Sequence, residues 1–423
     1  MNITDLQQQL ETAENFRLSH QFEQATLLYD EILEDSEETK THDSVREMRL
    51  MVLAGYGRIL HVKGQQPEAL RKFKQRVEEA HSKIEQVDAL VSVGDQQIIM
   101  AKYEDAFAVH SQALSVSKKL NYSAGRAFAL RGLGQTFSFI GRAEEAISNL
   151  KKALSIFQQL ENNEEIVRTW NLLGITHAQQ GEIDKAIDAF SVGLKNARRV
   201  GDMAIASFLS NLGEMYQDLY AFEEAIVYHR EGLEIAEKAE LRSMELDLCR
   251  NLGVDLCYLG QQEEGYTYLK RALSLSRVTG MFDLQLQTLY SIGHYEMQYG
   301  KVEQAVKYGR QLLILAEEIK ARGHLARARY LLGCCAKQQG KTQEAQQLWQ
   351  QALFMAHETQ QYRLLWQIHA ALAEISDSAE LARTHNRIAA EVIEQILYPI
   401  ESQALRSAFM NASSIKVVLD AIS

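Results

Sequence analysis

An internal repeat of forty residues is the feature of this chain that most restricts its fold. Six consecutive segments carry a glycine at the same phase, and successive glycines are 40, 39, 40, 40 and 40 residues apart. A small or turn-forming residue follows each of them seven positions later, and an alanine or glycine follows five positions after that. Repeats of this length are typical of solenoids, in which each unit buries its apolar face against its neighbours. The phased glycines are Gly134, Gly174, Gly213, Gly253, Gly293 and Gly333.

Each repeat unit has the pattern of two amphipathic helices joined by a short turn. Apolar residues recur at steps of three and four, as in Leu130, Leu133 and Phe137, which is the periodicity of a helix. The second glycine of the unit, such as Gly141, stands where a left-handed residue commonly closes a helix. The chain contains only two prolines, so long loops and an all-β sandwich are not expected. The sequence therefore predicts an all-α chain.

At these residues the chain resembles the tetratricopeptide repeat (TPR) family. The resemblance covers roughly residues 5–397 and implies a right-handed α-solenoid of about nine to ten TPR-like helix–turn–helix repeats. The period exceeds the more common 34 residues of the family. It is similar to that of the Pins/LGN cell-polarity adaptors, and more loosely to that of kinesin light chain and bacterial sensor solenoids. The pattern is most complete at Trp170, Leu173, Gly174, Ala186, Phe190 and Gly193.

The repeat period also suggests a division of the chain. We assign residues 1–400 to the TPR-like solenoid and residues 401–423 to a C-terminal capping segment. This segment lies outside the period but keeps apolar residues such as Phe409, Ile415 and Val418. Because the last helix of a solenoid has one face without a neighbour, the segment is expected to cover it. A docking element for another chain is the alternative.

The sequence contains no convincing motif for catalysis or for a cofactor. Gly132 and Gly134 form a G-x-G, but the third glycine and the preceding strand of a dinucleotide site are missing. His357 and Glu358 begin like a zinc motif, yet Gln361 stands where the second histidine is required. We therefore expect a chain that is not an enzyme and that holds no cofactor and no metal.

Charge and hydropathy narrow the choice of partners. The net charge is −11, whereas a nucleic-acid-binding protein needs a basic surface, so no nucleic-acid partner is expected. The first residues do not form a secretory signal, and no stretch approaches 18 apolar residues. We expect a cytoplasmic protein with no membrane partner. The sequence gives no prediction of the oligomeric state.

The resemblance also indicates where a protein or peptide ligand would bind. In TPR proteins the first helix of each repeat lines the concave side, so candidate residues are chosen by their phase relative to the first glycine. The resulting set is polar, aromatic and rich in arginine, which suits an extended or helical peptide. The candidates are Arg131, Gln135, Asn171, Asn211, Glu214, Arg250, Asn251, Tyr290, His294, Arg327 and Tyr330.

Two functions are compatible with such a groove. The first is a non-enzymatic protein–protein interaction scaffold or adaptor that binds a peptide or helical segment of a partner in its concave groove. The alternative is a regulatory peptide-signal sensor whose superhelix changes conformation on ligand binding. The first is favoured because a sensor normally carries an effector domain, and the sequence has no helix-turn-helix or catalytic pattern.

Overall fold

A computed structural model describes residues 3–201 and 203–422 of the chain. These residues form 22 α-helices and contain no β-strand. The helices pack in consecutive pairs that are joined by short turns. The structure thus confirms the predicted all-α solenoid of helix–turn–helix repeats.

Ten repeats account for the first twenty helices, and one further pair follows them. The first helices of the repeats are α1 (Ile3–Leu18), α3 (Asp43–Val62), α5 (Lys83–Ile99), α7 (Ser123–Phe139), α9 (Asn163–Gln179), α11 (Ile205–Asp218), α13 (Arg242–Tyr258), α15 (Phe282–Gln298), α17 (Arg322–Gln338) and α19 (Tyr362–Glu374). The second helices are α2 (Phe22–Asp35), α4 (Gln66–Glu79), α6 (Tyr103–Lys119), α8 (Ala143–Gln159), α10 (Ile183–Val200), α12 (Phe222–Lys238), α14 (Gln262–Thr279), α16 (Val302–Glu318), α18 (Thr342–Glu358) and α20 (Ala379–Leu397). The final pair is α21 (Gln403–Asn411) and α22 (Ser413–Asp420).

Most turns contain one residue in the left-handed conformation. The turn inside a repeat uses a glycine at Gly64, Gly141, Gly181, Gly260, Gly300 and Gly340, with φ between 72° and 80°. This confirms the role predicted for Gly141 and its equivalents. Two turns between repeats also use a glycine, at Gly201 and Gly280. Five others use the same conformation at residues other than glycine, which the sequence pattern did not predict: Asn121, Glu161, Glu240, Lys320 and Gln360. Such residues cost about 1–2 kcal/mol each, so helix packing must hold these turns in place.

The phased glycines allow the two helices of a repeat to approach closely. A methyl group at Gly213 would overlap the ring of His229, and one at Gly333 would lie 2.5 Å from Nε1 of Trp349. In both repeats the side chain that fills this space stands sixteen positions after the glycine. The predicted packing reason for the recurrent glycine is therefore confirmed.

The described residues divide into two compact units, which we treat separately. The described residues up to 176 form the N-terminal unit, and those from 177 onward form the C-terminal unit. Most of α9 belongs to the first unit, and its last three residues belong to the second. None of the described helices combines the length and the apolar character that crossing a bilayer requires.

Within the C-terminal unit, two contacts join residues that are far apart in the chain. Nη1 of Arg363 on α19 lies 2.6 Å from the carboxylate of Asp218 and donates to its main-chain oxygen at 2.8 Å. The main-chain amides of Glu401 and Ser402 donate to the carboxylate of Asp184 at 2.6 and 3.2 Å. The stacked repeats of this unit therefore curve far enough to enclose a groove.

The last helix pair packs inside the same unit. We call residues 401–422 the tail. Phe409 of the tail is 1% exposed, and its ring lies 5.6 Å from the ring of Tyr220 in an edge-on arrangement. Ile415 and Val418 are also buried. Tail contacts of this kind are what a capping segment needs, and the capping role itself stays a prediction.

Candidate functional site

The groove of the C-terminal unit is lined by the first helices α11, α13, α15, α17 and α19. Side chains three or four positions apart share one face of a helix. Because the repeats have nearly the same length, each successive first helix turns the equivalent face towards the groove. The groove contains two cavities, and the tail forms one wall of the second.

The first cavity, which we call the arginine cavity, has a volume of about 680 Å³. Arg250 of α13, Tyr290 of α15 and Arg327 of α17 contribute one side chain each from three successive repeats. Asp218 and Arg363, which contact each other, also line it. Glutamine side chains fill much of the remaining wall: Gln217, Gln287, Gln361, Gln367 and Gln395.

Arg250 is neutralised by carboxylates of its own groove wall. Its Nη2 lies 2.9 Å from Asp247 and 3.3 Å from Glu214. Glu214 also accepts a hydrogen bond from the side-chain amide of Asn251 at 3.1 Å. Burial within the groove raises the pKa of Glu214, and the nearby negative charge of Asp247 raises it further, against the opposing effect of Arg250.

Asp218 lies among several guanidinium groups. Burial raises the pKa of its carboxyl group, while the positive charges of Arg363, Arg327 and Arg250 act in the opposite direction. Its direct partner is Arg363. The carboxylate therefore fixes one arginine and lies within the electrostatic influence of the other two.

Arg327 is held by neutral groups. Its Nε donates to Oε1 of Gln361 at 3.2 Å, and its guanidinium carbon lies 5.9 Å from the centre of the Tyr290 ring. The amide nitrogen of Gln361 donates to the main-chain oxygen of Gly323 at 3.0 Å, which fixes the orientation of that side chain. Among the residues that the structure describes, Arg327 forms no salt bridge.

The second cavity, the tail cavity, has a volume of about 850 Å³. Aromatic residues of the first helices and turns line it together with tail residues 411–414. Burial lowers the pKa of His294 to about 4 and raises that of Tyr330 well above its usual value, so both side chains are neutral at pH 7. The aromatic and imidazole groups that line the cavity are Tyr220, Phe222, Tyr258, His294, Tyr330, Trp349 and Trp366.

The structure places the sequence-derived candidates in different surroundings. Arg250, Tyr290 and Arg327 meet in the arginine cavity, whereas His294 and Tyr330 line the tail cavity. Glu214 and Asn251 form the hydrogen-bonded group beside Arg250, and Asn251 is fully buried. Asn211 lies half-buried on α11.

Three candidates belong to the N-terminal unit. Arg131 is 9% exposed and forms salt bridges with Asp95 at 2.8 Å and Glu165 at 3.0 Å. Its guanidinium therefore already has carboxylate partners inside the unit. Gln135 and Asn171 lie half-buried on α7 and α9.

Sequence reasoning missed several residues that line the groove. Asp218 and Tyr258 each stand five positions after a repeat glycine, one helical turn beyond the phase that supplied Glu214 and His294. Extending the helical face by one turn would have found them. Arg363 comes from the degenerate last repeat, where no phased glycine marks the position. Within the described residues, no three His, Cys, Asp or Glu side chains are placed to hold a metal ion.

Comparison with known protein families matches three stretches to the tetratricopeptide repeat. They are residues 86–159, 140–199 and 205–240. The first two overlap and extend across α5 to α10, and the third covers α11 and α12. The matches thus include repeats of both units.

Three solved structures of similar fold illustrate what this architecture is used for elsewhere. The apo form of the quorum sensor NprR from B. thuringiensis has a TM-score of 0.60 at 14% identity, covering 83% of this chain and 99% of that one. Aspartyl phosphate phosphatase F from Bacillus subtilis has a TM-score of 0.55 at 13% identity, covering 84% of this chain and 94% of that one. The Rap conjugation gene regulator of the plasmid pLS20, in complex with the Phr* peptide, has a TM-score of 0.52 at 15% identity. The match covers 84% of this chain and 96% of that one. At these identities the likeness establishes the fold alone, and it is not specific to Pins/LGN-type adaptors.

One curated relative matches in sequence. The transcriptional activator NprA of Geobacillus stearothermophilus is 25% identical over 149 residues, which are 35% of this chain and 37% of that protein. The chain therefore spans well under two thirds of this relative's length.

Proposed function

We propose that this tetratricopeptide-repeat protein is a peptide-responsive regulator whose groove in the C-terminal unit binds an extended peptide. The observation that carries the proposal is the arginine cavity, in which side chains from successive first helices converge on one space. Equivalent positions of stacked repeats form a row, and a row of contacts suits an elongated ligand.

The chemistry of the arginine cavity fits a peptide main chain. Glutamine side chains both donate and accept hydrogen bonds, so residues such as Gln287 and Gln367 can pair with peptide amides and carbonyls. Tyrosine and arginine are the side chains that most often dominate binding energy at protein interfaces. Tyr290 and Arg327 supply one of each, next to each other.

The comparisons favour a regulator over the adaptor that the sequence suggested first. NprR is described as a quorum sensor, the pLS20 protein as a gene regulator that holds a peptide, and NprA as a transcriptional activator. These descriptions support a ligand-responsive role for the same fold. Because a phosphatase also has this fold, the absence of enzymatic activity stays a prediction.

Affinity selection of a random heptapeptide library on the full chain tests the proposal. Peptides that are retained are then titrated against the wild type, Tyr290→Ala and Arg250→Ala, with Lys195→Ala/Arg199→Ala on exposed positions of α10 as the control. We expect each groove variant to weaken binding at least about tenfold, since an anchor contributes about 2 kcal/mol. If the control abolishes binding while both groove variants bind normally, the assigned site is wrong.

Hydrogen exchange separates a regulator from a rigid adaptor. With a selected peptide at saturation, a regulator should change its amide protection in helices that line neither cavity of the groove, such as α14 and α16. A rigid adaptor should gain protection only at the cavity wall. Protection confined to the wall would therefore contradict the conformational part of the proposal.

A further inference from the structure

The tail is attached to the groove at two places, and the first is its beginning. The main-chain amides of Glu401 and Ser402 donate to the carboxylate of Asp184, in the first turn of α10. Pro399, just before the tail, lines the arginine cavity, and a methyl group at Gly181 would lie 3.7 Å from its Cγ. The beginning of the tail therefore borders the arginine cavity.

The second attachment is to the aromatic lining of the groove. The ring of Phe409 lies 5.6 Å from the ring of Tyr220, which lines the tail cavity. Burial raises the pKa of Tyr220, and hydrogen bonds between its hydroxyl and the side chains of Ser414 and Gln367 act in the opposite direction. One side chain of the groove thus contacts the tail through both its ring and its hydroxyl.

Gln367 links these tail contacts to the proposed peptide site. Its side chain lines both the arginine cavity and the tail cavity, so the two cavities adjoin at this residue. The proposed function assigns Gln367 to the peptide main chain, whereas in this structure it faces the Tyr220 hydroxyl that also contacts Ser414. A peptide and the tail therefore claim neighbouring positions on the same groove wall.

The length of an extended ligand makes the overlap larger. A heptapeptide spans about 23–25 Å when extended. The three first helices α13, α15 and α17 cover only about 16–20 Å, because packed helices lie about 8–10 Å apart. A bound heptapeptide therefore reaches beyond them to α11 or α19. Tyr220 follows α11 and Gln367 lies on α19, so either direction leads to a residue of the tail contacts.

The tail is held less firmly than a helix of the repeats. Its helices α21 and α22 have nine and eight residues, and helices shorter than about 12–15 residues are marginal by themselves in water. Phe409, Ile415 and Val418 are buried, but Val417 is 70% exposed. Elements with few buried apolar contacts open locally without unfolding of the whole unit. Undocking of the tail is therefore an accessible local event.

We propose that the tail is an internal competitor of the peptide ligand: a bound peptide takes its place beside Tyr220 and Gln367, and residues 401–422 are released from the groove. This inference rests on the proposed function, because it takes the ligand to be a peptide in this groove. A tail that must open before binding reduces the apparent affinity by the fraction of chains in which it is open. Any change that undocks the tail should therefore tighten peptide binding.

Peptide affinity in tail variants of the full chain tests the inference. A random heptapeptide library is selected in parallel on the wild type and on Phe409→Ala, and the retained peptides are titrated against both proteins. Because the competing segment is weakened, we expect Phe409→Ala to bind them at least about fivefold more tightly than the wild type. Met410→Ala changes the next residue, which is 42% exposed, and should bind them like the wild type.

A second variant acts at the beginning of the tail. Asp184→Ala removes the acceptor of the Glu401 and Ser402 amides. It should also tighten binding, by at least about threefold, since hydrogen bonds to a carboxylate are among the stronger ones. Asp188→Ala removes an exposed carboxylate one turn further along α10 and should leave the affinity unchanged.

Hydrogen exchange of the wild type follows the tail directly. A selected peptide at saturation should accelerate amide exchange in α21 and α22 and slow it in helices that line the arginine cavity, such as α13 and α15. Slower exchange in α21 and α22 would show that the tail closes over the ligand. That result would overturn the competition.

The outcomes distinguish this inference from the proposed function. If peptides lose affinity in Tyr290→Ala but bind Phe409→Ala and Asp184→Ala no more tightly than the wild type, the tail does not compete and peptide binding stands. If neither protein retains peptides, or the retained peptides bind Tyr290→Ala normally, the proposed function fails and the inference fails with it.

Discussion

At the scale of single residues, the repeat glycine and the side chain sixteen positions later act as one packing unit. In the repeat of α11 and α12, the ring of His229 fills the space above Gly213. That ring cannot move away easily, because its Nδ1 lies 2.6 Å from Asp255, and Asp255 accepts a further hydrogen bond from Gln217 at 2.6 Å. The space that a larger residue at position 213 would need is therefore occupied by side chains that hydrogen bonds hold in place.

Enlarging Gly213 should therefore destabilise the chain. We expect Gly213→Leu to lower the free energy of unfolding by about 1–3 kcal/mol or more, because the added side chain meets the pinned His229. Urea denaturation followed by circular dichroism measures the change. The control is Gly141→Asn, at a turn with no atoms near the glycine and a residue type that tolerates the left-handed conformation. Equal stability of the two variants would contradict the packing argument.

The half-buried His294 and the buried His369 should make stability depend on pH. Burial lowers the pKa of His294 and of His369 to about 4 in the folded chain. In the unfolded chain they titrate near 6.5, so the unfolded state binds more protons between about pH 6.5 and pH 4. Stability should fall as the pH decreases through this interval. The variant His294→Gln/His369→Gln should lose less stability over the same interval in thermal melts.

The exposed His42→Gln serves as the matched control for this measurement. Its melting temperature should follow the wild-type curve at every pH. A double variant whose curve also parallels that of the wild type would show that these histidines do not cause the acid sensitivity.

At the scale of helices, the tail is the element whose packing departs most from the nearest-neighbour pattern of the repeats. We propose that residues 401–422 cap the C-terminal unit. The support is the burial of Phe409 against Tyr220 and the hydrogen bonds from the amides of Glu401 and Ser402 to Asp184. An additional hydrogen bond joins Nη1 of Arg406 to the main-chain oxygen of Leu397, at the end of α20.

Removing the Phe409 side chain should release the tail. Because a buried Phe→Ala substitution costs about 3–5 kcal/mol, we expect faster hydrogen exchange throughout α21 and α22 in Phe409→Ala. Met410→Ala changes the next residue, which is 42% exposed, and should leave exchange unchanged. If both variants exchange like the wild type, the tail is not held by Phe409.

At the scale of the whole molecule, most packing is between neighbouring helices, so damage in one repeat should remain local. A methyl group at Gly57 would lie 2.5 Å from the Phe73 ring, between α3 and α4. We expect Gly57→Leu to increase hydrogen exchange in α3 to α6 and to leave α13 to α16 unchanged. An increase across all of these helices would show that the repeats unfold as one cooperative unit.

The repeat pattern predicted the helices, the glycine turns and the close helix contacts because each depends on residues within one repeat. The glycine at 213 and the histidine at 229, for example, are separated by less than one period. The pairing of Arg363 with Asp218 could not be predicted, since it depends on how far several repeats curve together. The pattern also selected Arg131 by phase without revealing that Asp95 and Glu165 already pair with it.

The contact between Asp184 and the amide of Glu401 also sets an order of events during synthesis. These residues are 217 positions apart, and a ribosome that adds about 5–20 residues per second needs roughly 10–40 s to cover that distance. Repeats of α10 and later helices can pack as they emerge, because their neighbours lie close in the chain. The groove, in contrast, stays without its tail until residue 401 has left the ribosome. A ligand that arrives in this interval meets an open groove, whereas one that arrives later meets a groove in which the tail has already docked.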